Sequence, residues 1–374
     1  MSEYTSIQWC DSTANPAMGC ELCELFPKNP QIASAIVRFL QKKGYAGAAG
    51  RKGEVRGLFP SHLASDTYHA RQMIAATVTA WLPIPEPKER RAVEQLLEHA
   101  IAAEFKCYAG MLHLWRGVND AKPDKKVSSG YAPKFEIVTK YPGRMRAAAA
   151  WSDLRGTLRL ARQQGSKVRP ARPWLDGLPR LIFISDMADI LSTAVDFEYL
   201  RDEVIENVTS ENGRRHIWLW LTKRPARMAK FSEWLLQQGL KWPDNLVAMT
   251  SVTSGKTVGR VDQLRKVKCR FRALSVEPLW EQVTLNLDNI DWVIVGGESA
   301  IRRPDATPFD VAWARDLRKQ CRTAGTAYFV KQLGSRPVDR GVPLQLKDSH
   351  GGNWDEWAPS LRIREFPKAF RKLP

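Results

Sequence analysis

The sequence predicts an α/β protein built as a closed (β/α)8 barrel of the TIM type, and three observations favour this fold. Short runs of β-branched and aromatic residues recur along the chain, amphipathic helical patterns separate several of them, and eight such runs are present. Several of the runs are apolar throughout, which is typical of strands buried on both faces of a parallel sheet. The predicted strands are Thr5–Cys10, Phe135–Thr139, Arg180–Ser185, His216–Thr222, Leu246–Ser251, Phe271–Ser275, Trp292–Gly296 and Ala327–Lys331.

Amphipathic patterns predict the helices that connect the later strands. These helices are expected at Phe197–Val208, Met228–Gly239 and Val311–Ala324. The stretch 24–106 breaks the alternation, because it holds no convincing strand and three helical patterns, Ile32–Lys42, Ala70–Trp81 and Arg91–Ala103. We therefore expect a barrel formed by 1–23 and 107–374, with a mostly helical insertion at 24–106 after the first strand. The insertion is either a lid or substrate-docking module, or a packing appendage.

Composition limits the classes of partner. The 374 residues contain 57 Lys+Arg and 40 Asp+Glu, a formal net charge of +17, which favours nucleic acid over a neutral partner. A generally basic enzyme is the alternative. The chain has no apolar run of about 18 residues and no apolar leader after its first residues, so we expect neither a membrane span nor a secretory signal. Six cysteines are too few for a disulfide scaffold, which indicates a cytoplasmic protein.

Three cysteines have positions that suggest metal binding. Cys20 and Cys23 follow the first predicted strand, and Cys107 opens the segment after the insertion. Removing the insertion would bring the three thiols into one loop at the barrel mouth. Three thiolates leave one iron of a [4Fe–4S] cluster without a protein ligand, and S-adenosylmethionine (SAM) can bind that iron.

Two other interpretations of these cysteines stay open. A zinc site needs four ligands, and Cys10 would complete a four-cysteine set, although it lies inside a predicted strand. Buried, inert thiols are the second alternative, and this is our interpretation of Cys269 and Cys321.

Seven segments form an ordered series of motifs. They are SIQWCDSTANPAMGC (Ser6–Cys20), FISDMADIL (Phe183–Leu191), LTKRPARM (Leu221–Met228), LSVEPL (Leu274–Leu279), IVGGESA (Ile294–Ala300), FVKQLG (Phe329–Gly334) and HGGNWDEWAPSLRIREFP (His350–Pro367). This series resembles a phage-encoded family of radical-SAM-like barrel proteins, in which clustered cysteines end in Cys-Tyr-Ala. The resemblance covers nearly the whole chain except Glu24–Lys106.

The resemblance implies a [4Fe–4S] cluster on Cys20, Cys23 and Cys107, SAM as the second cofactor, and an electron donor such as flavodoxin or ferredoxin. It also implies a location in the host-cell cytoplasm. The family usually keeps its three cysteines within a short stretch, whereas here the insertion separates Cys23 from Cys107.

Most of the motifs end a predicted strand, so their polar side chains are expected at the barrel mouth. Paired glycines permit close backbone approach, and Glu298 can accept from the SAM amino group or ribose. Lys223 or Arg224 can pair with the SAM carboxylate. The alternative is that these side chains only bind one another. The predicted cofactor ligands are Ser185, Asp186, Thr222, Lys223, Gly296, Gly297 and Glu298, and the predicted substrate ligands are Arg224, Ser275, Glu277, Lys331 and Gln332.

Basic residues concentrate between Arg144 and Trp174, where eight Lys/Arg face a single acid, Asp153. Arg155, Arg159 and Arg162 would fall on one face of a predicted helix. We interpret this stretch as a surface that contacts substrate phosphates, with a solvated helix face as the alternative.

Together these features predict a radical SAM enzyme whose 5′-deoxyadenosyl radical acts on a modified base in phage DNA. The specific hypothesis is an isomerase that converts an amino-acid-modified thymidine from an N-linked to a C-linked form, with the base extruded from the duplex. A photoproduct-lyase-like DNA repair enzyme and a non-catalytic, zinc-containing nucleic-acid-binding protein are the alternatives. No single catalytic residue is identified from the sequence.

Overall fold

A computed structural model gives the fold. It describes residues 1–20, 25, 29–58, 67–102, 104, 107–110, 112, 132, 135, 137–164, 167–299 and 306–373. The chain forms two compact units, unit 1 (Met1–Ala17 and Lys140–Pro374) and unit 2 (Met18–Thr139). The boundaries of these units lie at 17/18 and 139/140, whereas the sequence predicts a barrel and insertion divided at 23/24 and 106/107.

The described strands are mostly short. In chain order they are β1 (Ser12–Ala14), β2 (Ala17–Met18), β3 (Thr139–Lys140), β4 (Arg162–Gln164), β5 (Lys167–Arg169), β6 (Leu181–Ile184), β7 (Ile217–Thr222), β8 (Leu246–Ser251), β9 (Arg272–Val276), β10 (Trp292–Gly296), β11 (Phe309–Asp310), β12 (Ala327–Gln332), β13 (Pro337–Asp339) and β14 (Val342–Pro343).

Helices occur in both units. They are α1 (Asn29–Lys42), α2 (Ala46–Ala49), α3 (Lys52–Gly57), α4 (Thr67–Ala80), α5 (Pro87–Ala102), α6 (Arg144–Ala149), α7 (Phe197–Leu200), α8 (Glu206–Thr209), α9 (Pro225–Gln237), α10 (Arg260–Arg265) and α11 (Val311–Ala324). A π-helical turn, Arg201–Ile205, joins α7 to α8. Short 3₁₀ turns lie at Pro173–Leu175, Gly213–Arg215, Gly255–Thr257, Trp354–Glu356, Pro359–Leu361 and Lys368–Lys372. None of the described helices has the length and apolar character that crossing a bilayer would require.

The main sheet of unit 1 has seven strands in the order β1-β6-β7-β8-β9-β10-β12, and every neighbouring pair is parallel. The sheet is open, since β1 and β12 form its two edges and no described strand joins them. The prediction of a closed (β/α)8 barrel is therefore wrong. Strands and helices do alternate along unit 1, but the main sheet has seven strands where the sequence predicts eight.

The missing strand is the predicted Phe135–Thr139 segment. β1 pairs directly with β6, with Thr13 opposite Phe183, so no strand lies between them. Phe135 belongs instead to the hydrophobic core of unit 2, and its carbonyl accepts a hydrogen bond from the Cys20 amide at 2.7 Å. Only the two-residue β3 forms at the end of this segment. Core packing in unit 2 thus outweighs the local strand propensity.

The first strand is also displaced from its predicted position. Thr5–Cys10 was expected, whereas β1 is Ser12–Ala14. The backbone carbonyls of Ile7 and Cys10 both accept hydrogen bonds from the Arg172 side chain, and Trp174 Nε1 donates to the Gln8 carbonyl at 2.7 Å. Side-chain donors occupy the groups that a strand ladder would use, so this segment stays irregular.

Most predicted helices are confirmed. α11 matches its predicted bounds, because Asp310 caps it by accepting from the Ala312 amide at 2.9 Å and Gly325 ends it at φ +70°. The helices of unit 2 also lie where the patterns place them, and their apolar faces form one core. That core includes Ile32, Ile36, Leu40, Val55, Ile74, Val78, Leu97, Ile101 and Phe135.

The helix predicted to carry Arg155, Arg159 and Arg162 does not exist. The chain is irregular from 152 to 161, and Arg162 begins β4 of a short hairpin with β5. Arg159 is 5% exposed and lies against Asp11, with Nε–Oδ1 and Nη2–Oδ2 distances of 3.2 and 3.3 Å. A buried ion pair with its own backbone partners has replaced the expected solvent-exposed helix face.

This buried pair holds the edge of the main sheet. Arg159 also donates to the carbonyls of Leu154 and Leu178, at 2.9 and 2.8 Å. The second oxygen of Asp11 accepts from the Leu181 amide at the start of β6, at 3.0 Å. Because each charge is also hydrogen-bonded to the backbone, removal of either leaves a buried charge without compensation.

We expect Arg159→Met to lower the free energy of unfolding by about 3–5 kcal/mol, because it isolates the buried Asp11 carboxylate. Arg155→Met is the matched control, since Arg155 pairs with Asp153 near the surface at 2.6 Å and such pairs contribute at most about 1 kcal/mol. Urea denaturation of both variants measures the difference. Equal, small losses in the two variants would contradict the role given to Asp11.

Candidate active site at the carboxyl edge of the sheet

The parallel strands of unit 1 end along one edge of the main sheet, here called the carboxyl edge. The carboxyl ends of parallel strands are where sites of open α/β sheets form. All of the predicted ligands from the motifs lie at or directly after strand ends. Ser185 and Asp186 follow β6; Thr222 ends β7 before Lys223 and Arg224; Ser275 is in β9 and Glu277 follows it; Gly296 ends β10 before Gly297 and Glu298; Lys331 and Gln332 end β12.

An ion pair joins two of these strands across a third. Lys331 Nζ on β12 lies 2.7 Å from Glu277 Oε2, and Ser275 Oγ donates to the other carboxylate oxygen at 3.2 Å. β10 lies between β9 and β12, and its last residue is Gly296. A Cβ at Gly296 would come within 3.1 Å of Glu277 Oε2. The glycine therefore makes room for the ion pair. The sequence predicts that Glu277 and Lys331 lie at this edge, but it does not predict their contact.

Glu298 is held by neighbours in its own unit. Its side chain accepts from Trp280 Nε1 at 3.1 Å, and its backbone carbonyl accepts from the Ser335 amide at 2.8 Å. The residue is 7% exposed. A carboxylate with fixed orientation and little solvent contact is suited to binding a cationic or hydroxyl group, which is the role predicted for it.

Different contacts require glycine at the two positions of the GGES motif, Gly296 and Gly297. A Cβ at Gly297 would lie 2.5 Å from the Leu333 carbonyl oxygen, so the backbones of the two loops pack against each other there. Gly334 faces the same contact at φ +77°. Gln332 Nε2 donates to the Gly297 carbonyl at 3.0 Å. The close backbone approach expected at Gly297 is thus made by the protein itself.

Asp189 organises the next strand end, and sequence reasoning did not single it out. Its carboxylate accepts from Thr222 Oγ1 at 2.8 Å and from the Lys223 amide at 2.9 Å, and it lies 3.2 Å from Arg224 Nη1. The predicted ligands Thr222 and Arg224 therefore bind a buried acid. The signal was present, since Asp189 lies within the FISDMADIL motif beside Asp186. Lys223 forms no ion pair with any described residue.

Ser185 and Asp186 lie directly after β6, and each has an unusual property. Ser185 has φ +71°, a left-handed conformation that is unusual outside glycine and asparagine, and its buried hydroxyl has no partner within the described chain. Burial raises the pKa of Asp186 above its usual range, partly opposed by the Asn15 amide, which donates to it at 2.6 Å. Strain, an orphan hydroxyl and a perturbed acid occur together at binding sites more often than elsewhere.

The cysteines fall into two groups. Burial raises the pKa of Cys10 well above its usual range, that of Cys269 to about 11 and that of Cys321 to about 12. These three thiols stay protonated at neutral pH, which suits the inert role expected for Cys269 and Cys321.

Cys20 and Cys107 belong to the second group. Both are half-buried and pack against the core of unit 2. The Gly110 amide donates to Cys107 Sγ at 3.4 Å, an interaction that thiolate ligands of metal clusters commonly receive. Cys23 lies outside the described residues. Within the described ranges, no three His, Cys, Asp or Glu side chains form a group able to hold a metal.

A family model described as "Protein of unknown function (DUF5131)" matches residues 106–358, more than half of the chain. The chain belongs to the DUF5131 family. The matched region of this DUF5131 member contains Cys107 and the whole main sheet except β1. Neither the curated proteins nor the solved structures include a match to the chain.

We expect Ser185→Gly to raise the free energy of unfolding by about 1 kcal/mol, because it relieves the left-handed strain and removes an unpaired buried hydroxyl. Asn289→Gly is the control, since Asn289 also has a positive φ, of 58°, but asparagine tolerates it. Guanidinium denaturation of both variants tests this. A loss of stability in Ser185→Gly would show that the hydroxyl has a structural partner and is no mark of a binding site.

Proposed function

We propose that this DUF5131 member is a radical SAM enzyme that holds a [4Fe–4S] cluster on Cys20, Cys23 and Cys107 and acts on a base of nucleic acid. The observation that carries the proposal is the position of Cys20 and Cys107. Although distant in sequence, they pack against one core in unit 2 and are half-buried, whereas Cys10 and Cys321 are buried. When bound, such a cluster supplies the electron that cleaves SAM to methionine and a 5′-deoxyadenosyl radical.

The local chemistry of these two cysteines fits a cluster. A thiolate ligand needs partial access to solvent or cofactor and hydrogen bonds that stabilise negative charge on sulfur. Cys107 receives such a bond from the Gly110 amide. The Cys20 amide donates to the Phe135 carbonyl at 2.7 Å, which anchors its backbone to the same core. The first contact is made by the Cys107 sulfur and the second fixes the Cys20 backbone, and both side chains stay half-buried.

Within unit 1, the carboxyl edge carries polar groups of the kinds that bind SAM. The orphan hydroxyl of Ser185 can bond to a ribose hydroxyl, and the oriented carboxylate of Glu298 can accept from the amino group. For the SAM carboxylate we favour Lys223 over Arg224, because the Arg224 guanidinium already pairs with Asp189. These assignments give the residues positioning and binding roles only.

The substrate we propose is an amino-acid-modified thymidine in phage DNA, which the enzyme would isomerise from the N-linked to the C-linked form. The net charge of +17 supports a polyanionic partner. The Glu277–Lys331 pair presents, at 2.7 Å, the two charges that bind the ammonium and carboxylate of an amino acid. Exchange of partners would let the substituent replace the internal pair without leaving either charge uncompensated.

We expect Cys107→Ala to lower the rate of reductive SAM cleavage by more than about 100-fold. Loss of a residue that merely supports a metal ligand typically costs about 10–100-fold in activity, and loss of the ligand itself should cost more. The assay is 5′-deoxyadenosine formation after anaerobic reconstitution with iron and sulfide. Iron content of each variant is measured in parallel. The loss should therefore be accompanied by a loss of bound iron.

Cys269→Ala is the matched control, because it removes a thiol whose raised pKa keeps it protonated. It should retain iron and SAM cleavage within about twofold of the unaltered chain. Full activity in Cys107→Ala, or equal losses in both variants, would refute the assignment of Cys107. A chain that binds zinc alone and never cleaves SAM would refute the proposed function as a whole.

A further inference from the structure

A cleft of about 230 Å³ lies in unit 1, next to the start of β1 and away from the carboxyl edge. Asp11, which directly precedes β1, is part of its wall. Four arginines contribute to the lining, together with Tyr4, Thr5 and Ser6. The arginines are Arg159, Arg162, Arg169 and Arg172.

The charge of this cleft is strongly positive. Asp11 is the one carboxylate in its lining, and Arg159 binds both of its oxygens. Among the described residues, the Arg172 side chain donates only to the neutral carbonyls of Ile7 and Cys10, at 2.9 and 2.5 Å. Burial, together with the charges of Arg159 and Arg169, lowers the pKa of Arg172, against the opposing effect of Asp11. Four arginines thus face a single lining carboxylate, and Arg159 already binds both oxygens of that carboxylate.

Two of these arginines lie where their charges destabilise the β4–β5 hairpin. Arg162 and Arg169 are directly opposite each other in the antiparallel hairpin of β4 and β5. Like charges at such positions destabilise a hairpin, because their side chains share one face at short distance. Arg169 Nη1 is in addition buried without a hydrogen-bond partner. An anion bound between the two guanidinium groups would offset the repulsion and satisfy that nitrogen.

We propose that this cleft binds a phosphate group through Arg162, Arg169 and Arg172. Its volume is below the roughly 300–1,000 Å³ usual for drug-sized ligands, so it suits a single small anionic group. Leu160, which is 62% exposed, adds an apolar wall beside the arginines, where a sugar or base attached to the phosphate can lie. The source of the phosphate is then a nucleic-acid strand, and in this respect alone the inference rests on the proposed function.

The test is the double variant R162Q/R169Q, with R214Q/R322Q as the control. Both variants lose two positive charges, and Arg214 and Arg322 are exposed residues outside the cleft. Binding of inorganic phosphate is measured by calorimetry and binding of a short single-stranded oligonucleotide by fluorescence anisotropy. We expect R162Q/R169Q to lose at least about tenfold in affinity for the oligonucleotide, because charge-assisted contacts dominate phosphate binding. Its midpoint of thermal unfolding should stay the same or rise, because the cross-strand repulsion is gone.

The outcomes separate the sources and the proposals. If R162Q/R169Q loses binding of both phosphate and oligonucleotide while the control keeps both, the cleft is a phosphate site open to either source. If R162Q/R169Q loses binding of the oligonucleotide only, the ligand is a nucleic-acid strand. If it loses binding of inorganic phosphate only, the cleft binds the free anion, and a nucleic-acid strand is excluded as its ligand. Equal affinities in the two variants, no binding by the unaltered chain, or a marked fall in thermal stability of R162Q/R169Q would each overturn the inference. None of these assays involves SAM cleavage, so failure here is distinguishable from failure of the proposed enzyme.

Discussion

Parallel alignment of the seven main strands is the constraint on which the rest of unit 1 depends. Because every strand points the same way, the residues that follow each strand end meet at one edge. Residues that are far apart in sequence therefore become neighbours in space. Glu277 and Lys331 illustrate this. They are separated in sequence by β10 and α11, yet they pair at 2.7 Å because β9 and β12 flank β10. Gly296 is the local condition for that contact.

The polar side chains at the carboxyl edge are of two kinds. Some are hydrogen-bonded or ion-paired within the protein, and others are available to bind a ligand. Thr222 and Arg224 bind Asp189, and Gln332 and Gly297 bind each other's loop, so their main effect is to hold strand ends in register. Ser185 is different, because its backbone is strained and its buried hydroxyl has no partner among the described residues. Natural proteins keep such features where a ligand uses them.

The sequence predicted those elements whose signals are local. Buried runs such as Leu246–Ser251 and capped amphipathic helices such as Val311–Ala324 appear with their expected bounds, because period and caps are properties of neighbouring residues. The closed barrel failed because Phe135 packs in unit 2, which no local pattern reveals. The basic helix failed because Arg159 pairs with Asp11, a contact between residues far apart in sequence.

The same distinction holds for the candidate site. Motif positions after strands correctly placed Ser185, Glu277, Glu298 and Lys331 at one edge, since strand direction alone decides this. The individual pairings were beyond sequence reasoning, because they depend on side-chain geometry across three strands. Asp189 was missed for that reason. Arg169 was missed because a helix pattern assigned the basic stretch to the wrong secondary structure, and the hairpin register with Arg162 appears only in three dimensions.

We propose that Cys20, Cys23 and Cys107 of this DUF5131 member would hold a cluster with one iron left open to SAM. Electron paramagnetic resonance of the anaerobically reconstituted and reduced chain, recorded before and after addition of SAM, tests it most directly. We expect the signal of a reduced [4Fe–4S] cluster and a clear change of that signal when SAM is added, because SAM would bind the iron that has no protein ligand. A cluster signal that SAM leaves unchanged, or a chain that retains no iron, would contradict it.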